Sequence, residues 1–474
     1  MHDPSILARR SFLGRASLGM GATCLAQFMH SDLFAANKKI ASGGVLSELH
    51  FPVKAKRVIF LCMAGGPSHL ETLDYKPKLK QMHGKAMPTS YTKGQPIAQL
   101  QGQKLRCQEP MIGFRRHGQS GQLISDFLPQ TAKLADDICI VRSLHTDQIN
   151  HDPAHTVMNT GTSISGRPSM GSWINYGLGT ESQDLPGFVV LTSQGGRNPQ
   201  PISSRQWHSG FLPSRYQGVP FHSTGDPVHY VRSPQGVDAK LQRKLVTTVQ
   251  KLNQLRNKTV QNPEVETRIS QYELAFRMQM SVPKLMNFSD ESAQTLARYG
   301  TKGADGSYAA NCLLARRLAE RGVRFIHLYH RGWDHHGDLV SYMKTCCGLT
   351  DKPTAALLRD LKERDMLKDT LVIWGGEFGR TPMFQGKGRR PGRDHHIRGF
   401  SMWLAGGGIK GGVTYGATDE LGYAAVDNRV HVNDLHATML HLLGVDHKRL
   451  TYRYQGRDFR LTDVHGEVVK KILA

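Results

Sequence analysis

Behind Arg57, the run Val58-Ile59-Phe60-Leu61-Cys62-Met63 is apolar without a break and stops at Ala64-Gly65-Gly66-Pro67. A strand with one wet face alternates polar and apolar residues. An unbroken run reads instead as a strand buried on both faces, here ending in a tight turn. Ile138 to Val141, Phe188 to Leu191, Phe325 to Leu328 and Leu371 to Trp374 repeat the pattern. Between the last two, Ala355, Leu358 and Leu361 recur at helical spacing within Thr354 to Leu367. Strands alternating with helices predict an α/β fold, a mainly parallel central sheet with helices on both faces, and functional loops at strand ends. From about Arg197 to Arg232 the chain is rich in Pro, Gly, Ser and His, and 238–299 is polar with helical periodicity. Together they predict a loop and helical insertion at about 197–300.

The 474 residues include 61 Lys and Arg against 39 Asp and Glu, a net charge of +22 that suits an anionic substrate or partner. These cations are spread along the chain with no basic-aromatic platform, which argues against nucleic acid. No run of about 20 apolar residues occurs, so no transmembrane span is expected in the mature chain. Arg9-Arg10-Ser11-Phe12-Leu13, followed by a mildly apolar stretch from Ala16 to Phe28, resembles a twin-arginine export signal. The expected organisation is a signal peptide over 1–36, a linker over 37–56 and one domain over 57–474. The twin-arginine machinery is then a partner, and the destination is the periplasm or the exterior. No zinc-type CxxC spacing occurs, and Cys62 and Cys139 lie in apolar runs as expected buried thiols.

The 23 histidines cluster beside carboxylates near predicted strand ends. Ser68-His69 sits in the turn after the first strand, and Trp333-Asp334-His335-His336 follows the strand at Phe325. Glu377 follows the strand at Leu371, and Arg393-Asp394-His395-His396 precedes Phe400 to Ala405. Hard oxygen and borderline nitrogen donors presented from several strand ends are what a divalent-metal site requires.

These residues resemble a known superfamily. His151-Asp152-Pro153-Ala154-His155-Thr156-Val157-Met158-Asn159-Thr160-Gly161 is similar to the sulfatase signature CxPxRxxLxTG. Lys368 to Gly379 looks like the sulfatase strand that ends on a metal-binding carboxylate, with Glu377 in that place. Asn433 to Gly444 is similar to the late sulfatase helix. A closer resemblance is to a bacterial family of exported proteins, domain of unknown function 1501, placed in the alkaline phosphatase superfamily. Its phrases look like Gly65-Gly66-Pro67-Ser68-His69, Gly332-Trp333-Asp334-His335-His336, Gly375-Gly376-Glu377-Phe378-Gly379-Arg380-Thr381-Pro382 and Gly392-Arg393-Asp394-His395, in that order. The resemblance implies an alkaline-phosphatase-like three-layer sandwich and an exported, metal-dependent hydrolase of sulfate or phosphate esters. Its substrate would be an anionic small molecule or polysaccharide, and its metal zinc, calcium or manganese. The alternative is a non-catalytic relative that binds anionic glycans or an envelope partner.

The departures from the sulfatase pattern matter as much. His151 stands at the position of the formylglycine cysteine, His155 at that of the accompanying arginine, and Ala64-Gly65 where the first strand carries metal-binding aspartates. Formylglycine chemistry cannot operate at that position. Three routes stay open: a water activated by the ion, His151 as nucleophile, or a hydroxyl such as Ser68 or Thr156. For the first, the expected metal ligands are Asp334, His336, Glu377 and His395, with His69 and Asp394 next. His151, His155 and Arg380 are the expected catalytic residues, Arg393 and Ser68 the expected substrate contacts.

Overall fold

The computed structural model describes residues 43–196, 198–228, 238–260, 263–386, 388 and 390–474. The twin-arginine segment lies outside the described residues.

A nine-stranded sheet forms the centre. Its strands are β1 (Arg57–Ala64), β2 (Ile138–His145), β3 (Phe188–Gln194), β4 (Val219–Phe221), β5 (Phe325–Arg331), β6 (Thr370–Gly375), β7 (Phe400–Ala405), β8 (Thr414–Tyr415) and β9 (Val430–His431). They lie in the order β8-β2-β7-β6-β1-β5-β3-β4, with β9 also paired to β2. Every strand points the same way except β7, which is antiparallel to both β2 and β6.

Alternation along β1 shows why its sequence is apolar throughout. Ile59, Leu61 and Met63 pack into one layer with α4 (Pro263–Met286), α5 (Tyr308–Glu320) and α6 (Leu339–Glu363), named here after α1 (His151–Thr160), α2 (Met170–Leu178) and α3 (Ala239–Val260). Val58, Phe60, Cys62 and Ala64 pack the other way, against α1, α2 and α7 (Val432–Leu442). The chain is thus an α/β three-layer sandwich. The block expected as an insertion contains α3 and α4, and α4 buries Met278, Val282 and Leu285 in the same core as the sheet.

Register brings the strand ends together. Ala64 pairs with Arg331 of β5 and Cys62 with Gly375 of β6, so the loops after β1, β5 and β6 leave from one edge. β2 ends at that edge too and leads into α1. Because β7 is reversed, its amino end at Phe400 lies beside Leu144 of β2, at the same edge. The residues that precede β7 therefore meet those that follow β1, β2, β5 and β6.

Histidines also fill the core, and they make folding pH-dependent. Burial pushes His330, bonded to Ser193, down to about 3, and His436, bonded to the Met158 carbonyl, down to about 4. On unfolding each regains an ordinary value near 6.5, so the unfolded chain binds more protons between the two values. Stability is therefore full above about pH 6.5 and declines as pH falls toward 4. The His436 contribution to that loss is about 2.5 kcal/mol at pH 4.5. Urea midpoints from pH 7 to pH 4.5 check this, and His436→Gln, which keeps a donor for the carbonyl but does not titrate, shows the shallower decline.

Candidate metal centre

Four segments deliver one side chain or more each to the carboxyl edge of the sheet. The β2–α1 connection supplies His151, the first residue of α1. The loop after β5 supplies Asp334 and His336, the loop after β6 supplies Glu377 and Arg380, and the segment before β7 supplies His395. A two-residue antiparallel ladder ties the last two, pairing His395 with Arg380 and His396 with Gly379.

Asp334 Oδ1 is the centre of the arrangement. His336 Nε2 lies 2.8 Å from it, and the Nε2 atoms of His151 and His395 each lie 3.2 Å away. His336 Nε2 and His395 Nε2 are 3.0 Å apart, and all four donor atoms fall within 4.8 Å of one another. Asp334 is 4% exposed and His395 5%, whereas His151 is 12% and His336 20% exposed, so the cluster is reached from the side of these last two.

The far nitrogen of each ring determines what the near one can do. His151 Nδ1 is 2.7 Å from Glu377 Oε1, His336 Nδ1 is 2.6 Å from Gln385 Oε1, and His395 Nδ1 is 2.9 Å from the Ile149 carbonyl. Each partner is an acceptor, so in its neutral form each ring places its proton on Nδ1 and leaves Nε2 free to act as a ligand atom. The Gln99 amide Nε2 stands 3.3 Å from His336 Nε2. Three lone pairs and a carboxylate oxygen then face one point, and the buried Nε2 of His151 makes no hydrogen bond. Without an ion the Asp334 and Glu377 carboxylates favour the protonated form of His151, and a bound cation would take the place of that proton. Three imidazoles held through their outer nitrogens, plus one carboxylate, are a donor set that would suit a divalent ion.

The surrounding charges are consistent with that set. Burial opposes ionisation of Glu377, but His155 and His151 beside it hold it down at about 2. Burial likewise lowers His151, yet the Asp334 and Glu377 carboxylates outweigh it and raise the group. Asp334 is held far below the carboxylate range: burial works against its ionisation and is overcome by His151, His336, His395 and Arg380. Its other oxygen, Oδ2, accepts from Asn198 at 2.9 Å and Gln200 at 2.7 Å.

The remaining sequence-predicted residues lie around this centre. Glu377 is one layer behind it, accepting from the Gly65 amide at 3.0 and 3.2 Å as well as facing His151. His155, one helical turn after His151, comes within 3.5 Å of the same carboxylate and is buried with both ring nitrogens unpartnered. Arg380 is fully buried; it donates to Asp334 Oδ1 at 2.7 Å, to the Gly66 carbonyl at 2.9 Å and to the Gly65 carbonyl. Arg393 points away, forming a buried ion pair with Glu71, to which Ser68 also donates. Asp394 accepts from the Gln99 and Leu100 amides and so fixes the loop that brings Gln99 to His336. His69 contacts the Gly422 carbonyl away from the cluster. Sequence reasoning did not find Gln99, Gln385, Asn198 and Gln200. Neutral amides in long loops carry no spacing signal.

Gly65 shows how tightly the edge is built. Its φ is +119°, and a Cβ there would sit 2.5 Å from the Asp334 amide nitrogen. Gly65→Ala is expected to cost about 2 kcal/mol of stability and to displace Asp334, seen as a lowered urea midpoint together with lost metal uptake. Glu377→Gln keeps the shape and removes the charge behind His151. Metal affinity, read by competition with a chromophoric chelator, is expected to fall about tenfold to a hundredfold.

Among solved structures, Ps i-CgsB in complex with k-i-k-neocarrahexaose is 10% identical, covering 83% of this chain and 72% of that one, at a TM-score of 0.37. The lipoteichoic acid synthase LtaP from Listeria monocytogenes is 10% identical, with 87% and 76% covered and a TM-score of 0.33. The PsFucS1 sulfatase from Pseudoalteromonas sp. is 13% identical, with 83% and 68% covered and a TM-score of 0.32. Likenesses of this degree carry no weight for activity. No curated protein matches the sequence. The profile of the family described as Protein of unknown function (DUF1501) matches residues 55–473, nearly the whole described chain, and the protein belongs to that family.

Proposed function

We propose that this chain is an exported metal-dependent hydrolase of phosphate or sulfate esters, with His151, Asp334, His336 and His395 holding one divalent ion. The observation that carries the reading is the convergence of three Nε2 lone pairs and Asp334 Oδ1 at the carboxyl edge of the sheet. A mixed set of three nitrogens and one oxygen favours zinc or another late first-row ion over calcium, which takes six or more oxygen ligands. When bound, such an ion supplies Lewis acidity at an ester oxygen and lowers the pKa of a water.

The chain's own residues do the rest. Glu377 keeps the His151 proton on Nδ1 and so keeps Nε2 free. Arg380 spends its donors on Asp334 and on the Gly65 and Gly66 carbonyls, locking three loops together. Gln99 and His336 line the more open side, where an ester would enter. In this reading His151 is a ligand rather than a nucleophile, which favours the water route. Export follows from the twin-arginine resemblance, and among the described residues no helix is long and apolar enough to cross a membrane.

One observation favours the competing reading, a metal-binding protein without turnover. Arg380, expected as a catalytic residue, and Arg393, expected as a substrate contact, are both engaged inward and fully buried, so neither is free to grip an anion. Assay of the zinc-loaded chain against 4-nitrophenyl phosphate, bis-4-nitrophenyl phosphate and 4-nitrophenyl sulfate separates the two. Hydrolysis of one class is expected, falling at least about a hundredfold in His395→Ala through loss of the ion. A fully loaded chain that turns over none of the three supports the binding reading.

A further inference from the structure

A second site lies at the opposite edge of the sheet. A cavity of about 570 Å³ is bounded by the segment before β3, by α3 and α4, and by the end of α5. Its position is fixed by β5: Arg321 precedes the strand and Asp334 follows it. Seven residues of strand, about 20 Å, separate this cavity from the metal centre.

Four cations, Arg243, Arg277, Lys284 and Arg321, line it against two carboxylates, Glu181 and Asp184. Glu181 faces Arg324 at 3.5 Å and is partly neutralised by it. Arg243 is held over the Phe276 ring at 4.8 Å, and among the described residues its guanidinium has no carboxylate partner. Arg277 Nε is buried and has no hydrogen-bond partner. Arg321 donates one nitrogen to the Arg317 carbonyl, and burial together with the Arg317 charge lowers its affinity for its proton. Arg277 and Arg321 are partly buried while Arg243 and Lys284 reach solvent, so the wall carries an excess of two positive charges over Glu181 and Asp184 that a bound anion would neutralise.

We infer that this cavity binds a molecule carrying at least two negative charges on tetrahedral phosphate- or sulfate-type groups. Guanidinium forks match the oxygen spacing of such groups, and the Phe276 and Met280 side chains offer an apolar wall for whatever bears them. The site is independent of the metal centre and would hold an anionic polymer or ligand at a point remote from hydrolysis.

Isothermal titration of the full mature chain with methylenediphosphonate, and separately with 1,2-ethanedisulfonate, tests this with probes that esterases do not cleave. Saturable binding of at least one probe is expected, and which one binds distinguishes phosphate from sulfate chemistry. Arg277→Gln and Lys284→Gln are each expected to weaken it about tenfold. Lys448→Gln, a remote surface change, and His336→Ala should leave it within about twofold. Circular dichroism melts of all four variants confirm that each is folded. Absence of saturable binding for both probes, or binding that is lost with His336 and indifferent to Arg277, overturns the inference.

Discussion

Three imidazole nitrogens and one carboxylate oxygen converge on a single place, and most of the molecule's architecture serves to hold them there. They stay together because each ring is pinned from behind, by Glu377, Gln385 or a backbone carbonyl, and because Asp334 is pinned by Arg380, Asn198 and Gln200. Removing the pins would let the rings turn away and share protons with water. The pins and the donors together form the arrangement that a bound cation would require.

The sheet supplies the rigidity that such a set requires. β1 lies between β5 and β6, buried on both faces, and its register places the three loop origins side by side. Reversal of β7 is the less obvious requirement, because it lets His395 enter from ahead of a strand and still arrive at the common edge. Gly65 completes the junction. Only a residue without a side chain passes so close to the Asp334 backbone while donating its amide to Glu377.

Much of this was legible in the sequence, for identifiable reasons. The apolar runs at Val58, Phe188, Phe325 and Leu371 announced buried strands because the central strands have no wet face. Asp334, His336 and His395 stood out because donors next to strand ends have few structural uses. The tertiary assignment of roles was harder to read. His151 was expected to act on substrate, yet its Nε2 joins the ligand atoms, because α1 begins at the sheet edge and aims its first residue inward. Arg393 and Asp394 share a phrase with His395 but find other partners, Arg393 meeting Glu71 in the interior and Asp394 capping the loop that carries Gln99. The amides around Asp334 and His336 had no pattern to betray them, since only folding brings Gln99, Asn198, Gln200 and Gln385 near the cluster.

The most direct test of the account is X-ray absorption at the metal edge, on full-length mature chain purified without a chelator or a polyhistidine tag. The account predicts one ion per chain whose shell contains three imidazoles and one carboxylate. Metal–nitrogen distances should lie near about 2.0–2.1 Å. A chain that holds no ion even after dialysis against zinc, or whose ion sees no histidine, would contradict it.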